Sequence, residues 1–240
     1  MRHRTKPASA LVGPKRITDL TPDKRITGNL IVEINGTRFA TLPAEIVSAL
    51  EVAVDLELAD ELFEKLSRAA DVEAAYLVAL RMLAARPRSV NELLRRLRDR
   101  GHNPAAAAEA VGRLESKGLL DDTQFSRNFA RVRLSRGHGP PRILTDLLSR
   151  GVERRLAERA IDEVADQEGV DSLEAARTVA EKRLPQLGDD LPPDKLKRRL
   201  LTYLARRGHR GWEVREMVGE LMREQTKGAG RGSGTSPAQL

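Results

Sequence analysis

The side chains best equipped for chemistry are few in this chain. Cysteine is absent and histidine occurs four times, as His3, His102, His138 and His209. Without a thiolate there is no disulfide, no sulfur-ligated zinc and no cysteine nucleophile. The histidines show no metal-ligand spacing, and no nucleophile, base and orienting group form a recognisable set. His102 and His209 each follow a glycine at the end of a helical stripe, which points to a structural role at a helix stop. Asp121-Asp122 is a paired carboxylate, but it precedes the helical stripe of Phe125, Phe129 and Val132. One of the two is therefore expected to cap that helix. The run "GAGRGSG" has the glycine content of a phosphate loop, yet it follows no strand and opens no helix. No active centre and no cofactor are expected.

What the chain has in quantity is arginine. It carries 42 basic and 35 acidic side chains in 240 residues, a formal charge of +7. Arginine outnumbers lysine 33 to 9, and a guanidinium pairs in bidentate fashion with carboxylate or phosphate. The charge is sorted by segment. Residues 195–211 hold seven basic side chains and no acidic one, whereas 212–226 hold two and four. Residues 123–151 hold six arginines against Asp146, and 152–168 hold three arginines against six acids. A single arginine on a polar helix face is ordinarily solvated, and near a C-terminus it complements the helix dipole. Seven like charges together repel one another, and a polyanion or an acidic protein surface is their natural partner. Tyr203 is the sole aromatic in that cluster, so base stacking is not expected as its main binding mode.

These side chains need elements to hold them. Hydrophobic residues make up 40% of the chain but aromatics only 3%. The core must come from Leu, Val, Ile and Ala, a mix that with abundant Glu and Arg favours helix. No apolar run approaches the ~18 residues of a membrane span. Residues 1–15 are expected to be a disordered basic tail; they lack the apolar centre of a secretory signal, and a cytoplasmic location is expected. Asn35-Gly36 lies between β-prone runs at 30–34 and 37–41 and predicts a hairpin with a type I′ turn, with 17–20 a candidate third strand. Pro43 predicts a helix start over 44–50. Residues 16–66 then form a small αβ cap.

From 59 to 84 the pattern is helical, with a break expected near Asp71 and a stripe of Val72, Ala75, Tyr76, Ala79, Met82 and Leu83. "SVNE" at 89–92 is a capping box, in which the Ser89 hydroxyl accepts from the Glu92 backbone and the Glu92 carboxylate reaches back. Val90, Leu93, Leu94 and Leu97 form the next buried stripe, ended by Gly101. Residues 226–240 are Gly/Ser-rich and expected to be a flexible tail.

That helix ending is written three times. When Gly101, Gly151 and Gly208 are superposed, Leu93, Ile143 and Leu200 coincide, as do Leu94, Leu144 and Leu201, and Leu97, Leu147 and Leu204. Downstream, Val111, Ile161 and Val218 coincide, and so do Leu114, Val164 and Leu221. Five apolar columns without a gap define a tandem repeat. Each unit holds three helices, over 67–118, 119–168 and 169–225, and buries too little alone to be stable without neighbours. The fold class expected is mainly α: tandem three-helix repeats forming an elongated curved array behind a small N-terminal αβ (β-hairpin) cap.

The motifs "ALRMLAARPRSVNELLRRLRDRG", "GLLDDTQFSRNFARVRLSRGHGPPRILTDLLSRGV" and "RRLLTYLARRGH" resemble the three repeats of the RecX family, bacterial regulators of the RecA recombinase. The resemblance covers about residues 71–225, and the region 16–66 is more loosely similar to the N-terminal extension of longer members. Phe129 stands where the family often has tryptophan, and His209 where a larger aromatic is common. The resemblance implies a non-enzymatic protein that lies in the groove of the RecA–single-stranded DNA filament and suppresses ATPase and strand exchange. A monomer with weak direct DNA binding is expected, and the lack of an apolar run predicts no membrane association. On this reading the electrostatic contact is made by Arg88, Arg95, Arg96 and Arg98, by Arg131 and Arg142, and by Lys195, Lys197, Arg198, Arg206 and Arg207. Two other classes stay open: a direct DNA-binding protein with a recognition helix, and a helical scaffold for another protein.

Overall fold

The computed structural model describes residues 13–188 and 191–229. The segments read as tails thus lie mostly outside the described residues. β1 begins at Lys15, and helical backbone continues to Ala229. The chain divides into two compact units, Met1–Asp121 and Asp122–Leu240.

The first unit opens with β1 (Lys15–Pro22), β2 (Asn29–Ile34) and β3 (Thr37–Pro43), followed by α1 (Ala44–Ala49) and the two-residue β4 (Glu57–Leu58). The strands form one antiparallel sheet in the order β3-β2-β1-β4. Asn35 (φ 49°) and Gly36 (φ 71°) make the tight turn between β2 and β3, the double positive φ that a type I′ turn requires. Ile17, Val32, Ile34, Ala40 and Leu42 point from the sheet into a core shared with Val47, Phe63, Leu66 and Ala70.

The last three of those residues belong to α2 (Asp60–Ala85), a single helix of 26 residues. The break expected near Asp71 is absent. Instead the helix changes sides there. Phe63, Leu66 and Ala70 face the sheet, whereas Val72, Ala75, Tyr76, Ala79 and Met82 enter a second core with α3 (Val90–Arg98) and α4 (Pro104–Ser116). At 3.6 residues per turn these sets lie on roughly opposite sides of the helix. Glu73, just past the changeover, is 3% exposed; it takes a hydrogen bond from Arg113 at 3.0 Å and one from Asn29 of β2 at 3.4 Å.

The second unit contains two further helix triplets. The first is α5 (Asp122–Ser135), α6 (Pro140–Leu148) and α7 (Arg154–Gln167); the second is α8 (Ser172–Arg183), α9 (Pro193–Arg207) and α10 (Trp212–Ala229). A 3-10 turn, Leu184–Leu187, follows α8.

The repeated columns are the cores of the triplets. Leu93, Ile143 and Leu200 are fully buried, as are Leu97, Leu147 and Leu204. Val111, Ile161 and Val218 are 2%, 3% and 0% exposed, and Leu114, Val164 and Leu221 0%, 0% and 5%. The middle helices α3, α6 and α9 all stop in one way. Gly101, Gly151 and Gly208 have φ of 83°, 81° and 96°, and the next residue donates its backbone N–H to the carbonyl of Leu97, Leu147 or Leu204 at 2.9–3.2 Å. This is the Schellman closure, for which a Cβ would be penalised.

Candidate interaction surface

The basic cluster is built on α9. Pro193 opens the helix, and Leu196, Leu200 and Leu204 turn inward. The other side carries Lys195, Lys197, Arg198, Arg199 and Arg206, all exposed. Among the described residues no carboxylate lies within ion-pair distance of any of them.

The corresponding helices α3 and α6 are different. Each carries a buried carboxylate that holds nearby arginines. Glu92 of α3, 2% exposed, accepts on one carboxylate oxygen from Arg86, from Arg88 and, at 2.9 Å, from Arg96. Burial works to raise the Glu92 carboxyl, but the Arg96 hydrogen bond and the Arg86 and Arg88 guanidinium groups outweigh it and hold the group below the ordinary carboxylate range. Ser89 accepts from the Glu92 backbone N–H at 3.1 Å, as the capping box requires. The Glu92 carboxylate, however, serves the arginines instead of reaching back.

In α6 the acid is Asp146, paired with Arg142 at 3.1 Å and Arg133 at 3.4 Å. On the glycine superposition Glu92 falls on Arg142, and Arg96 on Asp146. The two helices thus carry the same i,i+4 ion pair with its signs exchanged. In α9 those positions are Arg199 and Tyr203, and no carboxylate is present at either.

The residues singled out as contacts therefore separate into two groups. Arg88 and Arg96 are held by Glu92, Arg142 by Asp146, and Arg131 by Glu168 at 2.9 Å. Arg207 turns inward, donating to the Arg136 carbonyl at 2.7 Å and lying 5.0 Å from the centre of the Tyr203 ring. Arg95 and Arg98 on α3 are exposed and have no such partner among the described residues, as is true of Lys195, Lys197, Arg198 and Arg206 on α9. The first pair lies in the first unit and the α9 set in the second.

Beside the α9 set an open groove of about 460 Å³ runs between α9 and α10. Lys197, Arg198, Arg210 and Arg215 line it over an apolar floor of Leu201, Ala205 and Val214. The sequence reading missed Arg215 and the exposed Trp212, because both fall in the acid-rich segment after 211. Their signal was adjacency to the cluster, not membership of it.

The three described histidines are structural. His209 is 4% exposed, with Nε2 3.2 Å from the Gly137 carbonyl. Burial pulls the imidazoles of His102, His138 and His209 below their ordinary value, which favours the neutral ring. Asp122 opens α5, with Asp121 immediately before it. Among the described residues no group of three acidic or histidine side chains forms a metal cage, and no helix is long and apolar enough to cross a membrane.

Three helix triplets with glycine-stopped middle helices, preceded by a small antiparallel sheet, define a tandem helical-repeat protein. Three sequence profiles match these triplets: "RecX, first three-helix domain" over 75–114, the second over 121–161 and the third over 170–217. The Regulatory protein RecX of Halorhodospira halophila is 37% identical over 157 residues, covering 65% of this chain and 93% of that one. That of Mycobacterium sp. strain KMS is 35% identical over 141 residues, covering 57% and 75%. A crystal structure of regulatory protein RecX superposes with a TM-score of 0.65 at 18% identity, over 86% of this chain and 99% of that one. RecX from Lactobacillus salivarius gives 0.52 at 20%, over 64% and 97%. The chain belongs to the RecX family.

Proposed function

We propose that this chain is a non-enzymatic, cytoplasmic regulator that acts as a monomer on the RecA filament formed on single-stranded DNA. It binds in the filament groove and inhibits ATP hydrolysis, filament extension and strand exchange, thereby modulating recombination and DNA repair. The observation that carries the reading, within a family named for regulation, is the α9 face. It presents five exposed cations where the equivalent helices bury a carboxylate. Uncompensated charge on a folded surface costs self-repulsion and favours an anionic partner. Arg95 and Arg98 on α3 form a second contact, and the arginines held by Glu92, Asp146 and Glu168 shape the surface more than they bind.

The test is RecA ATPase on single-stranded DNA, titrated with this protein, beside a mobility shift of naked DNA at the same salt. Inhibition well below the concentration that shifts bare DNA is expected. Inhibition only where bare DNA is already coated would favour the second reading, a direct DNA-binding protein, which the same α9 cations support. No DNA dependence at all would leave a protein scaffold.

A further inference from the structure

The loop between α5 and α6, Arg136 to Gly139, is seated on the end of α9 by polar contacts. The Gly139 N–H donates to the Arg207 carbonyl at 2.8 Å. In the other direction the Arg207 guanidinium donates to the Arg136 carbonyl at 2.7 Å, and His209 Nε2 lies 3.2 Å from the Gly137 carbonyl. Glycines let the backbones come this close. A Cβ at Gly139 would lie 2.8 Å from the Gly208 oxygen, and one at Gly137 would overlap Val179 of α8. The same helix ending at Gly101 faces open space. The apolar cores of the two triplets joined here are separate, so this seam can part while each core stays packed.

Of the groups that donate across the seam, His209 alone changes charge near neutral pH. A carbonyl can only accept, so the neutral ring carries its proton on Nε2, toward Gly137. Nδ1 is then bare. It has no hydrogen-bond partner among the described residues, and it packs on Gly139, where a Cβ would lie 3.2 Å from it. A second proton would make a cation of a ring that is 4% exposed, with a donor that nothing accepts.

The surrounding charges add to that cost. Arg207 precedes the ring on α9, and Arg142, in the first turn of α6, packs on Gly208. The groove that His209 helps line carries Lys197, Arg198, Arg210 and Arg215 against the single acid Asp194. Burial first, and Arg207 with it, hold the imidazole below its ordinary value against the Gly137 hydrogen bond; no carboxylate is among the groups that act on it. His138 is a separate case. Its Nδ1 meets the Arg133 carbonyl at 3.3 Å, inside its own triplet, and the charges acting on it are Arg133, Arg207 and Asp146.

We infer that this seam is a proton-operated latch: a neutral His209 holds the α5–α6 loop on α9, and a protonated one lets the second and third repeats part there. A histidine that resists its proton in the closed state gives full latch strength above its ordinary value, about 6.5. That strength is lost as pH falls through this value toward the closed-state one. Closed, α6 and the α9 cations form one body; open, the third triplet is free to turn. The inference goes beyond the filament reading, and its test uses this protein alone.

The Gly139 amide reports the latch directly. Its hydrogen exchange in the full chain is followed by NMR between about pH 7.5 and 5.5, corrected for the intrinsic pH dependence of exchange. Protection is expected to fall about tenfold or more across that range, while the amides of Leu147 and Leu204 hold. His138→Gln keeps the fall. His209→Gln, which retains an N–H for Gly137 but gains no charge, abolishes it. Should glutamine leave the amide unprotected at every pH, the wild-type ring decides. Its NMR titration midpoint is expected below about 6.5 and on the Gly139 curve. Four results would overturn the latch: Gly139 protection that ignores pH, a fall shared by Leu147 and Leu204, a fall that vanishes in His138→Gln but survives in His209→Gln, or a His209 ring titrating at its ordinary value.

Discussion

Glu92 shows how much one buried carboxylate decides locally. Three guanidinium groups converge on it, and Arg88 is itself only 11% exposed along its side chain. Breaking a buried pair from one side strands the remaining charges, at a cost of about 3 kcal/mol. Glu92→Gln is therefore expected to lower the unfolding free energy of the first unit by that amount near neutral pH, read as a drop in its urea midpoint. The pH dependence has a definite sign. A carboxyl held below its ordinary value in the folded state contributes stability above the unfolded value, about 4.3, and loses it as pH falls through the folded value. Wild type and Glu92→Gln should differ most above about pH 5 and converge in acid, which denaturant titrations at stepped pH will read. The i,i+4 spacing of Arg88–Glu92 and Arg142–Asp146 was legible in the sequence, but the pairing of Arg131 was not. Arg131 meets Glu168 and Arg133 meets Asp146 on neighbouring helices, and a charge count along the chain does not register a partner that arrives by packing.

The middle helices share one ending but not one environment. A Cβ added at Gly101 would meet open space, whereas at Gly208 it would lie 2.7 Å from the Arg142 Cβ and 2.8 Å from the Arg142 nitrogen. There α9 abuts the start of α6: the Gly139 N–H donates to the Arg207 carbonyl at 2.8 Å. Gly101→Ala should cost about 1 kcal/mol from the left-handed φ alone, and Gly208→Ala about 3 kcal/mol or more from φ and clash together. Thermal unfolding of the two variants measures the difference. The apolar columns were legible because each triplet repeats the same packing problem with the same residue types. α2 was misread at Asp71 for the converse reason. Its apolar stripe leaves one face and resumes on the other, which in sequence looks like an interruption but in space joins two cores with one rod. Asp71→Pro, which removes a helical hydrogen bond and costs about 3 kcal/mol or more, should accordingly lower hydrogen-exchange protection in β1–β3 and in α3–α4 together. Loss in one alone would show that the shared helix does not couple them.

At the scale of the molecule, the proposed function rests on which charges remain after the fold has used the others. Lys195→Glu, Arg198→Glu and Arg206→Glu, combined in one variant, should weaken inhibition of the RecA ATPase by about tenfold or more at low salt. Exposed and without an ion-pair partner among the described residues, these three side chains contribute little to the fold, so the melting temperature should stay near wild type. Arg142→Glu is expected to do the opposite, lowering stability through Asp146 with a smaller effect on inhibition. The two variants, measured side by side for melting and for inhibition, separate charges that bind from charges that hold the fold. The exchanged signs of Glu92–Arg96 and Arg142–Asp146 carry one more consequence, for the gene. Tandem repeats are open to unequal crossover, which tends to make copies alike. A crossover inside this helix would join Glu92 to Asp146, two carboxylates one turn apart, or Arg142 to Arg96, two cations. Either hybrid would keep every apolar column and lose the i,i+4 ion pair, so exchange between the first two repeats would carry a cost in charge that their shared packing does not reveal.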